Sequence, residues 1–99
     1  MDELKRKVYI DRLTDNLPML RVKLRMTQKE FANIIGVSSF TVLAIEKRQR
    51  NMTWNTFLSM MLIFVAHEDT RQLLKVLDIY TDELITFIEG RQSYERAKN

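Results

Sequence analysis

Chain-breaking residues are so scarce in this chain that they nearly dictate its architecture. Glycine occurs only at 36 and 90 and proline only at 18, in 99 residues. Glycine and proline punctuate strands, hairpins and loops, so a chain with three of them has few places to turn except helix ends. Its apolar residues recur at i, i+3 and i+4 rather than alternating. An all-α chain of five to six helices follows. Residues 1–99 read as a single domain, because that length supports one core and not two. No linker, internal repeat or low-complexity run divides it.

Capping chemistry sets the expected boundaries. Residues 1–13 read as an N-terminal helical arm, with Leu4 and Val8 one turn apart. A first helix is expected from about Thr14 to Arg25, because Pro18 is tolerable only in a first turn. A second opens at Thr27, where "TQKE" is a capping box, and stops at Gly36, a suitable C′ residue. A short third helix spans 38–47, with Ser38 or Ser39 as its cap. Val42 and Ile45 share one side of it. Phe40, Leu43, Ala44 and Lys47 lie on the other, so the face opposite the core also carries an apolar stripe.

The fourth helix starts at Thr53 and runs through "WNTFLSMMLIFVAH". Phe57, Leu58, Met61, Leu62 and Val65 form one stripe, yet Met60, Ile63 and Phe64 are apolar too. A helix apolar nearly all round has to be covered on several sides. Residues 67–90 supply the cover through Leu73, Leu74, Leu77, Leu84, Ile85 and Ile88, ending at Gly90. The polar segment 91–99 reads as a fraying tail. Trp54 is expected to staple the loop before it to the core.

Catalysis has little to stand on. There is no cysteine, one histidine (His67), no phosphate-binding glycine loop and no His-x-x-x-His. No nucleophile–base pair, metal or cofactor is expected, and the chain does not read as an enzyme. The pairs Glu68/Asp69 and Asp82/Glu83 sit at helix starts, where carboxylates suit the helix dipole. The charged opening "MDELKRKVYID" has no apolar h-region, and "FLSMMLIFVA" is about half the roughly 20 residues of a membrane span. A soluble, cytoplasmic protein is expected. Residues 1–50 hold 11 Lys/Arg against 6 Asp/Glu, and residues 51–99 hold 5 against 7. The basic excess around Arg21, Lys23, Arg25, Lys29, Lys47, Arg48 and Arg50 suggests a polyanion for the first half, with Lys5-Arg6-Lys7 either a solvated turn of helix or an arm toward it.

A capped helix, a tight glycine turn and a second short helix describe a helix-turn-helix. The residues "LRVKLRMTQKEFANIIGVSSFTVLAIEKRQRNMT" resemble the lambda-repressor-like helix-turn-helix family, the XRE or Cro/repressor group. Met26, Thr27, Gln28, Phe31, Ala32, Gly36, Val37, Ser38, Thr41, Val42, Ile45 and Glu46 carry the resemblance, which covers roughly residues 14–66 as the core unit. It implies a sequence-specific DNA-binding transcriptional regulator, a homodimeric repressor on double-stranded DNA. Ser38, Ser39, Phe40, Leu43 and Ala44 would face bases. Gln28, Thr41, Lys47, Arg48, Arg50, Thr53 and Asn55 would face phosphates, Gln28 also bracing the reading helix. Arg21 and Glu46 would form a structural ion pair between helices one and three.

Two departures bear on that expectation. The reading positions lack the Arg, Gln or Asn that bind purine edges. Phe40, Leu43 and Ala44 can meet only thymine methyls or another apolar surface. Either the stripe reads a T-rich site through methyls and DNA shape, or it packs on protein, as in an antitoxin or antirepressor type of interaction module. The basic rim favours DNA. The family's Asn-Gly-Lys after Glu46 is here Lys47-Arg48-Gln49, without glycine and with added charge. The family's closing Gly-Val-Ser-x-Asp-Glu-Leu is echoed by "IYTDEL" about a dozen residues late, implying an extra helix around 67–78 that would carry subunit contacts.

Overall fold

Asp2 accepts the Lys5 amide at 2.8 Å and so starts α1 (Glu3–Lys23). Five helices follow: α2 (Gln28–Ile35), α3 (Ser39–Glu46), α4 (Trp54–Ala66), α5 (Glu68–Val76) and α6 (Asp82–Glu89). The computed structural model describes residues 1–90, which are all-helical with no strand; the segment 91–99, read above as a tail, lies outside the described residues. No helix among them is long and apolar enough to cross a membrane.

Helix α1 corrects the expected arm and break. It is one helix, and its buried residues Tyr9, Leu13, Leu17 and Leu20 form a single stripe through the point where a boundary was read. Pro18 sits inside the helix on its exposed side, so its ring meets solvent rather than the core. It has no N–H for the carbonyl of Thr14. Nearby side chains turn back on the helix, Thr14 Oγ1 donating to the Ile10 carbonyl and Asn16 Nδ2 to that of Arg12. Thr14 therefore lies within the helix and does not cap one. Burial of the stripe outweighs the local cost of the proline.

The first half of α1 is docked, not free. Tyr9 donates to Glu83 Oε1 at 2.9 Å and shares a short hydrogen bond with Thr81, the N-cap of α6. Lys5 pairs with Glu83 at 2.7 Å, and Lys7 with Asp11 at 3.0 Å. The Arg6 guanidinium lies over the Trp54 and Phe87 rings. Leu4 and Val8 face outward.

One core serves all six helices. It joins Leu13, Leu17, Leu20, Phe31, Val42, Ile45, Phe57, Met60 and Phe64 to Leu74, Ile79 and Leu84, so the unit expected over 14–66 is closed by residues on both sides of it. Helix α2 packs on α3, α1 on α3, α4 and α5, and α4 on α5. Trp54 is half-buried and stacks on Phe57 at 4.7 Å.

Helix ends without glycine are closed in two other ways. Arg25, Arg48 and Asp78 take positive φ (57°, 59° and 58°), and in each case the next amide donates back to a carbonyl five residues earlier. These are Schellman stops with a non-glycine residue in the left-handed position. At the end of α4, Thr70 Oγ1 donates to the Phe64 carbonyl at 2.6 Å and Arg71 to that of Val65 at 2.9 Å.

Helix α4 corrects a second expectation. Phe57, Met60, Met61, Ile63 and Phe64 are buried, but Leu62, expected to be covered, is 74% exposed, and Ile88, expected to cover α4, is itself 55% exposed. Helix α5 covers one side of α4 and α6 only part of another. A groove of about 720 Å³ is left between α4 and α6, lined by Leu58, Leu62, Val65, Ile85 and Ile88 among others.

Candidate nucleic-acid interface

The geometry of α2 and α3 is fixed locally. Thr27 accepts the Glu30 amide at 3.1 Å and Glu30 accepts the Thr27 amide at 3.0 Å. The Thr27 amide holds the Glu30 carboxyl below its ordinary value. Helix α2 ends at Gly36, whose φ of +79° is open to glycine and strained for most other residues. Ser38 then caps α3 by accepting the Thr41 amide at 3.1 Å. Phe31, Ala32, Val42 and Ile45 are buried where the two helices meet, with Ile35 and Val37 packed at the edge.

A charged knot joins these helices to α1. Arg21 Nε and Nη2 donate to both Glu46 oxygens, at 2.7 and 3.1 Å. Gln28 Nε2 donates to Glu46 Oε1 at 3.0 Å, and Arg21 Nη1 to the Met26 carbonyl at 2.8 Å. The side chains of Arg21 and Glu46 are 13% and 7% exposed. Three helices meet at one carboxylate, and Arg21 ties in the turn between two of them. A nearly buried ion pair is tolerable only when its remaining donors and acceptors are satisfied, and here the charged groups bond at both ends.

The knot and the wedge leave the first turn of α3 outside. Phe40 is 80% exposed, Ser38 and Ser39 are exposed, and Leu43 and Ala44 are half-buried. The outward stripe therefore narrows to one prominent ring. Ser38 Oγ and Thr41 Oγ1 are 3.0 Å apart, and Arg50 Nη1 reaches back to Thr41 Oγ1 at 3.3 Å. That contact places a guanidinium beside the first turn of α3. Lys47 is exposed at the C-cap of α3.

Several candidates are occupied. Arg48 is ion-paired with Asp15 of α1, so in this conformation it does not stand free toward a phosphate. Arg48 makes this pair from a left-handed backbone conformation, a turn that the missing glycine hid. Gln28 is engaged with Glu46. Thr53 caps α4 by accepting the Thr56 amide, and Asn55 is exposed in its first turn. Sequence reasoning missed Asp15, Tyr9, Thr81 and the Met26 carbonyl. Of these Tyr9 left a signal, four residues before Leu13 on the same face, and so did Thr81, a capping residue just before Asp82-Glu83.

No group of three or more His, Cys, Asp or Glu that could hold a metal ion occurs among the described residues. Compared with known protein families, curated proteins and solved structures, the chain matches none.

Proposed function

We propose that the chain is a lambda-repressor-like helix-turn-helix protein: a cytoplasmic, sequence-specific DNA-binding transcriptional regulator that occupies an operator as a homodimer and represses. The observation that carries this reading is the Arg21–Gln28–Glu46 knot, which holds α3 against two helices while its first turn projects with Phe40 outermost. A short helix so held fits a major groove. Lys47 and Arg50 flank it, and the first-turn amides of α2 and α4, beside Gln28, Thr53 and Asn55, favour phosphates. Ser38, Ser39, Leu43 and Ala44 complete the base-facing surface.

The groove between α4 and α6 supports the dimer. Its most exposed apolar lining residues, Leu62 and Ile88, stand beside half-buried Leu58, Val65 and Ile85, and among the described residues its only charged lining residue is Glu89. Ridge and hollow on one largely apolar patch suit a two-fold contact with a second copy.

A second reading, a protein-interaction module, is favoured by the same exposed Phe40 with Leu43 beside it. Fluorescence anisotropy separates the two, using DNA from upstream of the protein's own gene and a scrambled duplex at two salt concentrations. Tight binding to the upstream DNA that weakens steeply with salt is expected, since counterion release requires phosphate contacts. Weak, salt-insensitive or equal binding to both duplexes would sink the repressor reading and favour the interaction module.

A further inference from the structure

Resting on that DNA reading, we infer that the first turn of α3 selects a pyrimidine carrying a C5-methyl group, thymine or 5-methylcytosine alike, so that cytosine methylation converts a poor site into a good one. Phe40 is the most exposed large apolar side chain of the described residues, and its ring can neither donate nor accept a hydrogen bond. The apolar feature that a base edge offers in the major groove is the C5-methyl. The methyl is the same in both pyrimidines, which differ at C4, where thymine has an acceptor and cytosine a donor.

Nothing fixed in this turn distinguishes those two groups. Ser39 is exposed, and a hydroxyl donates or accepts as required. The Ser38 hydroxyl is tied to Thr41. Leu43 and Ala44 offer no polar side-chain atom. The paired purine also goes unread, because that takes a bidentate Arg, Lys, Asn or Gln. Gln28 is held by Glu46 and Arg48 by Asp15, while Arg50 reaches back to Thr41. Lys47 sits at the C-cap of α3, at the opposite end from the turn that enters a groove. The basic rim of Lys47 and Arg50 supplies the charge match to DNA.

The test uses the full chain and a duplex that it binds in the anisotropy experiment. Each thymine is replaced in turn by deoxyuridine, and each sensitive T·A pair then by C·G and by 5-methylcytosine·G. Loss of a contacted methyl should weaken binding about fourfold, the worth of one buried methyl-sized group. The C·G duplex should be at least as weak, and its methylated form should recover the thymine affinity. Phe40→Ala, at a position too exposed to disturb folding, should bind thymine and deoxyuridine duplexes alike. Deoxyuridine tolerated at every position, or a thymine preference that survives Phe40→Ala, overturns the inference and leaves DNA binding standing. If no duplex is bound in a salt-dependent way, the DNA reading falls and this inference with it.

Discussion

At the scale of single residues, two charged contacts have opposite consequences. Glu46 accepts from Arg21 and Gln28 in a nearly buried site. Glu46→Ala leaves the Arg21 guanidinium without its carboxylate, a loss of about 3–5 kcal/mol for a buried pair broken on one side. Urea unfolding should show it as a lowered midpoint, and a change under about 1 kcal/mol would mean that the knot is ornamental. The pair between Asp15 and Arg48 is exposed on both sides and stabilises little. On the proposed DNA-binding reading its effect is on the interface, because Asp15 occupies a cation. Asp15→Asn should tighten DNA binding and steepen its salt dependence by about one unit. Unchanged affinity and slope would place Arg48 away from the phosphates. The Thr27–Glu30 box was legible because its partners lie three residues apart. Asp15 and Arg48 were not, because their meeting depends on how two distant helices cross and on an arginine adopting a left-handed turn.

At the scale of elements, α1 shows where local rules lose to packing. The proline and the polar run Thr14–Asp15–Asn16 read as a boundary, whereas the stripe of Tyr9, Leu13, Leu17 and Leu20 needs one continuous helix. A proline in a helix interior costs about 3 kcal/mol relative to alanine. Pro18 is exposed, so its removal forfeits no burial. Pro18→Ala should therefore stabilise the fold by about 1–3 kcal/mol, read as a raised thermal midpoint. A lowered midpoint would mean that a bend in α1 is needed to seat α3. Helix α6 is tied to α1 by groups that titrate. Lys5 and then Tyr9 hold the Glu83 carboxyl below its ordinary value, while Glu83 raises Lys5 and burial raises the Tyr9 hydroxyl. The lowered Glu83 contributes stability above the ordinary glutamate pKa of about 4.3, lost as pH falls through its lowered value. The raised Lys5 contributes below about 10.4, lost as pH rises through its raised value. Urea midpoints should form a plateau between those limits, and Glu83→Gln should lower that plateau and flatten its acid limb, because the variant has no carboxylate to protonate. An unaltered acid limb in that variant would show that the tie is thermodynamically silent.

For the whole molecule, α4 is apolar nearly all round, yet the other described residues leave part of it uncovered. The sequence reading required cover on several sides, and for residues 57, 60, 61, 63 and 64 the fold provides it. It could not say which side stays open, because a helix apolar all round carries no periodicity from which to pick its outer face. The order of packing decides it: α5 follows α4 directly and closes on it through Leu74 and the Thr70–Phe64 bond, whereas α6 is drawn toward α1 by Tyr9 and Lys5. Leu62 and Ile88 are left standing at 74% and 55% exposure beside the groove. If a second copy fills it, two reading helices become linked, and an operator with half-sites about 34 Å apart is bound far more tightly than either half alone. A charge in the groove would then break the dimer without touching α3. Leu62→Glu should stay helical and folded, because the side chain is already largely in water, yet sediment as a monomer where the parent protein sediments as a dimer. Its affinity for a single half-site should match the parent's, while its advantage on the paired operator disappears. A parent protein that stays monomeric at micromolar concentrations, or a variant that remains dimeric, would place the subunit contact elsewhere and leave the groove as no more than the open side of an over-apolar helix.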